Sequence, residues 1–110
     1  MIQIEGNNIS MSYGDTFSVT FNLSGYELIP TDVILFSVKA TTGSTAVLWS
    51  QSVTGAEGSS FTITDTEGTF TAAVGEGQKC YDVLLTTAAG EKITLNYPAV
   101  LDIKAVAHNV

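Results

Sequence analysis

Apolar and polar side chains alternate strictly in two short arms near the C-terminal third of the chain. Residues 80–87 place Tyr81, Val83 and Leu85 on one face, and residues 92–97 place Ile93, Leu95 and Tyr97 on one face. The polar segment Ala88-Ala89-Gly90-Glu91 lies between them. A period of two predicts strands, and the Gly-containing connection predicts that the two pair as a β-hairpin. The remaining chain is expected to cover the hairpin's buried face.

From the N-terminus, residues 2–4 form a brief alternating run, followed by the turn chemistry of Gly6-Asn7-Asn8. Ile9, Met11 and Tyr13 alternate up to Gly14-Asp15. Residues 16–23 carry the clearest pattern, with Phe17, Val19, Phe21 and Leu23 on one side and Thr16, Ser18, Thr20 and Asn22 on the other. That is a half-buried strand with one wet face. After Pro30-Thr31-Asp32, residues 33–39 are apolar on both sides in their first half: Ile34, Phe36 and Val38 form one row, and Val33, Leu35 and Ser37 the other. Such a strand is covered on both faces or carries an interaction surface.

Residues 40–46 read as a Thr/Gly/Ser loop. Val47, Trp49, Gln51 and Val53 alternate in a fourth long strand ended by Gly55, and Phe61 and Ile63 make a brief fifth. Residues 69–74 fit either a strand or a single helical turn. In the last run, residues 99–106, Leu101, Ile103 and Ala105 share a side. About eight short strands divided by turn signals, with no helical period sustained over three turns, predict an all-β fold. One-sided alternation demands a facing sheet, so the expected architecture is an antiparallel two-sheet β-sandwich, with a small barrel as the alternative. The expected core is Phe17, Val19, Phe21, Ile34, Phe36, Val38, Tyr81, Val83, Leu85 and Ile103.

A length of 110 residues suits one domain over 1–110, and 45% hydrophobic residues supply a core without metal or disulfide. Four lysines, no arginine and eleven acidic residues leave a net charge of −7. Nucleic-acid binding needs a basic footprint that this chain lacks, and an anionic membrane surface is disfavoured by the same sign. The acidity serves solubility. Residues 1–6 have neither the basic nor the apolar region of a signal peptide.

Candidate chemistry is sparse. His108 is the only histidine and lies near the C-terminus, where a nucleophile–histidine pair is hard to fix. Cys80 has no partner cysteine, and although Lys79 is adjacent, a small thiol filling a sheet position accounts for it. Asp65, Glu67 and Glu76 could gather oxygen ligands for Ca²⁺ at one end of the domain, but the EF-hand spacing is absent and turn-forming Asp and solvated Glu account for them better. Trp49 with Tyr13, Tyr26, Tyr81 and Tyr97 could line a sugar platform, although a lone Trp in a sandwich is more commonly core. No catalytic residue, cofactor site or metal site is assigned.

Three blocks in order resemble a known family. The succession from Ile9 through Ser12-Tyr13-Gly14-Asp15-Thr16-Phe17 is similar to the Gly-Asp-Thr lead-in of phage baseplate upper protein N-terminal domains. Asp32-Val33-Ile34-Leu35-Phe36-Ser37-Val38-Lys39 is similar to that family's next strand. Gly77, Tyr81-Asp82-Val83, Leu85, Gly90 and Thr94 are similar to its Gly-x-Tyr-x-Tyr-Asp-Ile hairpin, with Lys79 standing where the family often has an aromatic. The resemblance implies an Ig-like sandwich and a non-enzymatic phage or prophage structural module of tail or baseplate, located in the virion after assembly in the host cytoplasm. It also implies other phage structural proteins as partners. A carbohydrate- or cell-surface-binding Ig-like module is the competing expectation.

In an Ig-like sandwich the strands beginning at Val33 and Cys80 lie side by side. With Ile34, Phe36, Tyr81 and Val83 facing inward, Val33, Leu35 and Leu84 face outward. Three aliphatics on adjacent strands predict an apolar interface for a homo-oligomer or another particle protein, unless a terminal segment of the same chain covers them.

Overall fold

A computed structural model of the chain describes residues 3–4, 8–65, 69–95 and 99–105. Nine strands and one helix occur among them: β1 (Gln3–Ile4), β2 (Ile9–Ser12), β3 (Phe17–Ser24), β4 (Val33–Lys39), β5 (Trp49–Thr54), β6 (Ser60–Asp65), α1 (Thr69–Val74), β7 (Gly77–Thr86), β8 (Lys92–Thr94) and β9 (Ala99–Lys104). The fold is mostly β. Two sheets form, one in the order β1-β3-β6 and one in the order β2-β9-β7-β4-β5, with β8 added beside β7.

The hub is β7, because its alternation is the longest and it has neighbours along both edges. One edge pairs with β4 from Val33↔Thr86 to Lys39↔Cys80. The other edge is divided, with β9 beside Gly77 to Tyr81 and β8 beside Leu84 to Thr86. The expected hairpin is therefore present, though its second arm is a strand of only three residues. Gly90 closes the turn with φ 88°, a left-handed conformation that a side chain would strain, and its N–H donates to the Thr87 carbonyl.

The strands expected to be antiparallel are so with one exception. β2 runs parallel to β9, pairing Ile9↔Leu101 through Ser12↔Lys104. An all-antiparallel arrangement is thus corrected to a mixed larger sheet. Parallel neighbours need a long crossover, and nearly the whole chain lies between β2 and β9. Local alternation carries no trace of this, since it is identical for parallel and antiparallel strands.

The inner faces of the two sheets share one core. Phe21 of β3 lies 6.1 Å from the Phe36 ring of β4 and 6.0 Å from Tyr81 of β7, ring centroid to centroid. Phe61, Ile63, Ile34, Val38, Val83, Leu85, Leu101 and Ile103 are buried around them. Of the expected core only Val19 stays half-buried, packed against the cluster's margin.

Residues 69–74 resolve as helix for a packing reason. α1 buries Phe70, Thr71 and Val74, and the Phe70 ring stacks on Phe17 at 4.0 Å and 6°. Thr71 Oγ1 accepts the Gly14 N–H at 3.0 Å, so the helix also ties down the β2–β3 turn. Gly75, at φ 83°, donates to the Thr71 carbonyl and ends the helix in the left-handed conformation common at helix C-termini.

Candidate functional site

β4 is an interior strand with β7 on one side and β5 on the other, so its backbone is saturated and its side chains alone define its two faces. Inward go Ile34, Phe36 and Val38, all at most 1% exposed. Outward go Val33, Leu35, Ser37 and Lys39, each half-buried. The register sets Leu35 directly opposite Leu84, and Val33 opposite Thr86 on β7 and Thr54 on β5. Val33, Leu35 and Leu84 therefore do share one outer face, as the alternation predicted, and all three are half-buried rather than fully exposed. Ser52 beside Leu35 and Thr94 beside Leu84 complete the row.

Charges rim this uncharged centre. Asp82 lies one step along β7, opposite Ser37, and Lys92 stands on β8 opposite Thr86. Further along the same face come Cys80 opposite Lys39 and Val100, then Asp102 and Lys104 on β9. Three of the chain's four lysines thus lie on the outer face of the larger sheet. Beside Lys39 a recess of about 30 Å³ is lined by Ser37, Lys39, Thr42, Cys80, Tyr81 and Asp82. Its size suits a water molecule or two and is an order of magnitude below a small-molecule pocket. The Cys80 thiol donates weakly to the Lys39 carbonyl at 3.5 Å, which fits a sheet-filling role.

The outer face of the smaller sheet is of a different kind. Ser18, Thr20, Asn22 and Ser24 of β3 and Ser60, Thr62 and Thr64 of β6 project from it, and Thr20 and Thr62 hydroxyls bond to each other at 2.8 Å. These side chains are exposed, and among them is neither a charge nor a large apolar group.

The other candidates do not converge. Trp49 is half-buried against the core, with Phe70 at 4.7 Å, Phe36 at 5.9 Å and Phe17 at 6.2 Å, all edge-on. Tyr81 is 1% exposed in the core, and burial pushes its hydroxyl up to about 12. Of the residues considered for a sugar platform, Trp49, Tyr13 and Tyr26 are half-buried and Tyr81 belongs to the core; Tyr97 and His108 lie outside the described residues. Asp65 Oδ2 accepts the Thr69 hydroxyl at 2.9 Å at the start of α1, Glu76 is exposed beyond its end, and Glu67 is outside the described residues. No group of three or more His, Cys, Asp or Glu able to hold a metal ion exists among the described residues.

Two polar devices escaped the sequence reading. Asp32, 2% exposed, sits where the chain turns into β4. Its Oδ2 accepts the Tyr26 hydroxyl at 2.7 Å and the Ile29 N–H at 3.0 Å, while the Asp32 N–H returns to the Ile29 carbonyl at 2.9 Å. This hydrogen bond to a carboxylate, with burial second, raises the Tyr26 hydroxyl above its ordinary value of 10.0. The only hint in the sequence was an Asp immediately before an apolar run. Gln51 is the second device. Its amide NH₂ donates to the Thr64 carbonyl at 2.8 Å, and its oxygen accepts the Thr64 N–H at 3.0 Å. The side chain thereby imitates a strand and joins the edge of β5 in the larger sheet to the edge of β6 in the smaller.

No protein-family model matches the chain, and no curated protein matches it either.

Proposed function

We propose that this chain is a non-enzymatic structural module of a phage or prophage particle, of tail or baseplate type, that docks on other particle proteins. The observation that carries the reading is the Leu35–Leu84 pair with Val33 on the open face of the larger sheet. Burying such aliphatics favours association by about 25 cal/mol per Å² removed from water. The strand order supports the Ig-like part of the proposal. Lettered along the chain as in an Ig sandwich, β3 and β6 stand as B and E, and β9-β7-β4-β5 stand as G-F-C-C′.

The blocks that resemble baseplate upper protein N-terminal domains also fall at coherent places. Gly14-Asp15-Thr16 forms the turn into β3, where Gly14 has φ 91° and the Asp15 N–H donates to the Ser12 carbonyl. Asp32 caps the turn into β4, and Gly90 closes the β7–β8 hairpin. Lys79, at the family's aromatic position, keeps the core-facing parity of Tyr81 and directs its amine to the Glu76 carbonyl at 2.9 Å. An ammonium thus closes the rim where an aromatic would extend the core.

The test is mass spectrometry of density-purified particles from the phage or induced prophage that encodes the chain. The chain should be recovered with the particles, and Leu35→Asp combined with Leu84→Asp should leave it folded in solution yet missing from them. Recovery only in the particle-free lysate would refute the virion reading.

A further inference from the structure

The docking face has a symmetry in its chemistry that names an occupant. We infer that a second copy of this chain packs on it face to face, about a two-fold axis running along the row Ser52–Leu35–Leu84–Thr94. The inference rests on the docking reading above and specifies the partner.

Charge placement carries the argument. Relative to that row, Asp82 lies one step to one side along β7, and Thr86 with its neighbour Lys92 lies one step to the other. A two-fold axis along the row keeps each strand over its own copy and exchanges the two sides. Leu35 then meets Leu35 and Leu84 meets Leu84 of the second copy, while each Asp82 comes over the Thr86–Lys92 step. Two opposite-charge contacts form for every pair of copies. An axis along the strands would hold Asp82 level with its own copy and Lys92 level with its own, placing like charges at equal heights. Isologous two-fold contacts are the commonest protein assembly, and self-complementarity of this kind is their requirement.

The acidity of the chain narrows the choice of face. Two bodies of charge −7 repel, and at 0.1 M salt the repulsion reaches about 10 Å. This face gathers Lys39, Lys92 and Lys104 against Asp82 and Asp102, so its own charge is close to balanced and adds little to that repulsion. The overlap is small. Four strands at about 4.8 Å by six residues at about 3.3 Å cover roughly 400 Å² per copy, half the ~800 Å² of a standard interface. The dimer is therefore weak and concentration-dependent, suited to a particle in which neighbours hold many such contacts together.

Sedimentation equilibrium over a range of concentrations tests this with four proteins: the unaltered chain, Asp82→Lys, Lys92→Asp, and the two combined. Both altered positions are sheet-surface sites, Asp82 half-buried and Lys92 exposed, and circular dichroism checks that each variant keeps its β signal. The average mass of the unaltered chain should rise towards that of a dimer. Each single reversal turns both attractive contacts repulsive and should weaken association about tenfold. The double variant restores opposite charges and should return association to near that of the unaltered chain. A chain that stays monomeric at millimolar concentration overturns the second copy as occupant, without touching recovery in particles. Dimers indifferent to the reversals, or not rescued by the exchange, overturn the arrangement.

Discussion

Replacing Phe36 by Ala strikes the point where the two sheets meet. Phe36 is 0% exposed, and its ring lies 5.2 Å from Tyr81, 5.8 Å from Phe17, 5.9 Å from Trp49 and 6.1 Å from Phe21. Removing the ring takes away on the order of 100 Å² of buried apolar surface, worth about 2.5 kcal/mol at 25 cal/mol per Å². Four aromatic neighbours lose a partner, and the rigid rings around the gap collapse only partly, which brings the total to about 3–5 kcal/mol. Domains of this size hold roughly 5–15 kcal/mol, so the variant should remain folded in buffer but close to its limit. Urea titration followed by circular dichroism reads the loss as a lower midpoint with an unchanged slope. Phe36→Leu, which retains most of the volume, should lose only about 1–1.5 kcal/mol and guards against a variant too unstable to measure. A loss below about 1 kcal/mol for Phe36→Ala would refute the reasoning, because it would mean that the inward row of β4 does not bear on the smaller sheet.

Two further outcomes follow from polar groups. Gln51→Ala removes both hydrogen bonds to the Thr64 backbone; at this exposed edge it should cost about 1–2 kcal/mol and speed hydrogen exchange at the Thr64 amide, whereas unchanged exchange would show that the bridge between the sheets is not maintained in solution. Stability should fall in alkali: Tyr81 ionises at about 12 when folded and near 10 when unfolded, so between those values the unfolded chain has released a proton that the folded chain retains, and each step up in pH favours unfolding. Tyr26 acts in the same direction because its hydroxyl is held by Asp32, and Tyr26→Phe should remove its share of the alkaline slope while Tyr81 keeps its own.

How far the chain could be read before folding depends on whether a feature is local. The rows Phe17/Phe21/Leu23, Ile34/Phe36/Val38 and Tyr81/Val83/Leu85 alternate with period two, and a strand with one buried face needs nothing else to declare which side is inside. β4 spans residues 33–39 as its pattern predicts, and the outward placement of Val33, Leu35 and Leu84 follows from the same parity. Where alternation ran past the pairing partner, it misled. Val47 continues the row of Trp49 and Val53, yet β5 begins at Trp49 and Val47 is 48% exposed, because the register would set it opposite Ala40, just past the end of β4 at Lys39.

What only the tertiary structure decided is which strand lies beside which, and what fills the places that alternation leaves blank. The parallel approach of β2 to β9 joins residues from the two ends of the chain, and no short window contains both. The helix at Thr69–Val74 wins over a strand because Phe70 finds the Phe17 ring and Thr71 finds the Gly14 amide. Gln51 reads in sequence as one more polar position, and it becomes the link between two sheets only once the edge of β6 is brought within reach of its amide. Asp82 and Lys92 likewise acquire a relation only through the register of β8 on β7, which sets them on opposite sides of Leu84. Periodicity reports the face of a strand, since that is a property of its own backbone; neighbours are chosen by the free energy of the whole core, which no single segment contains.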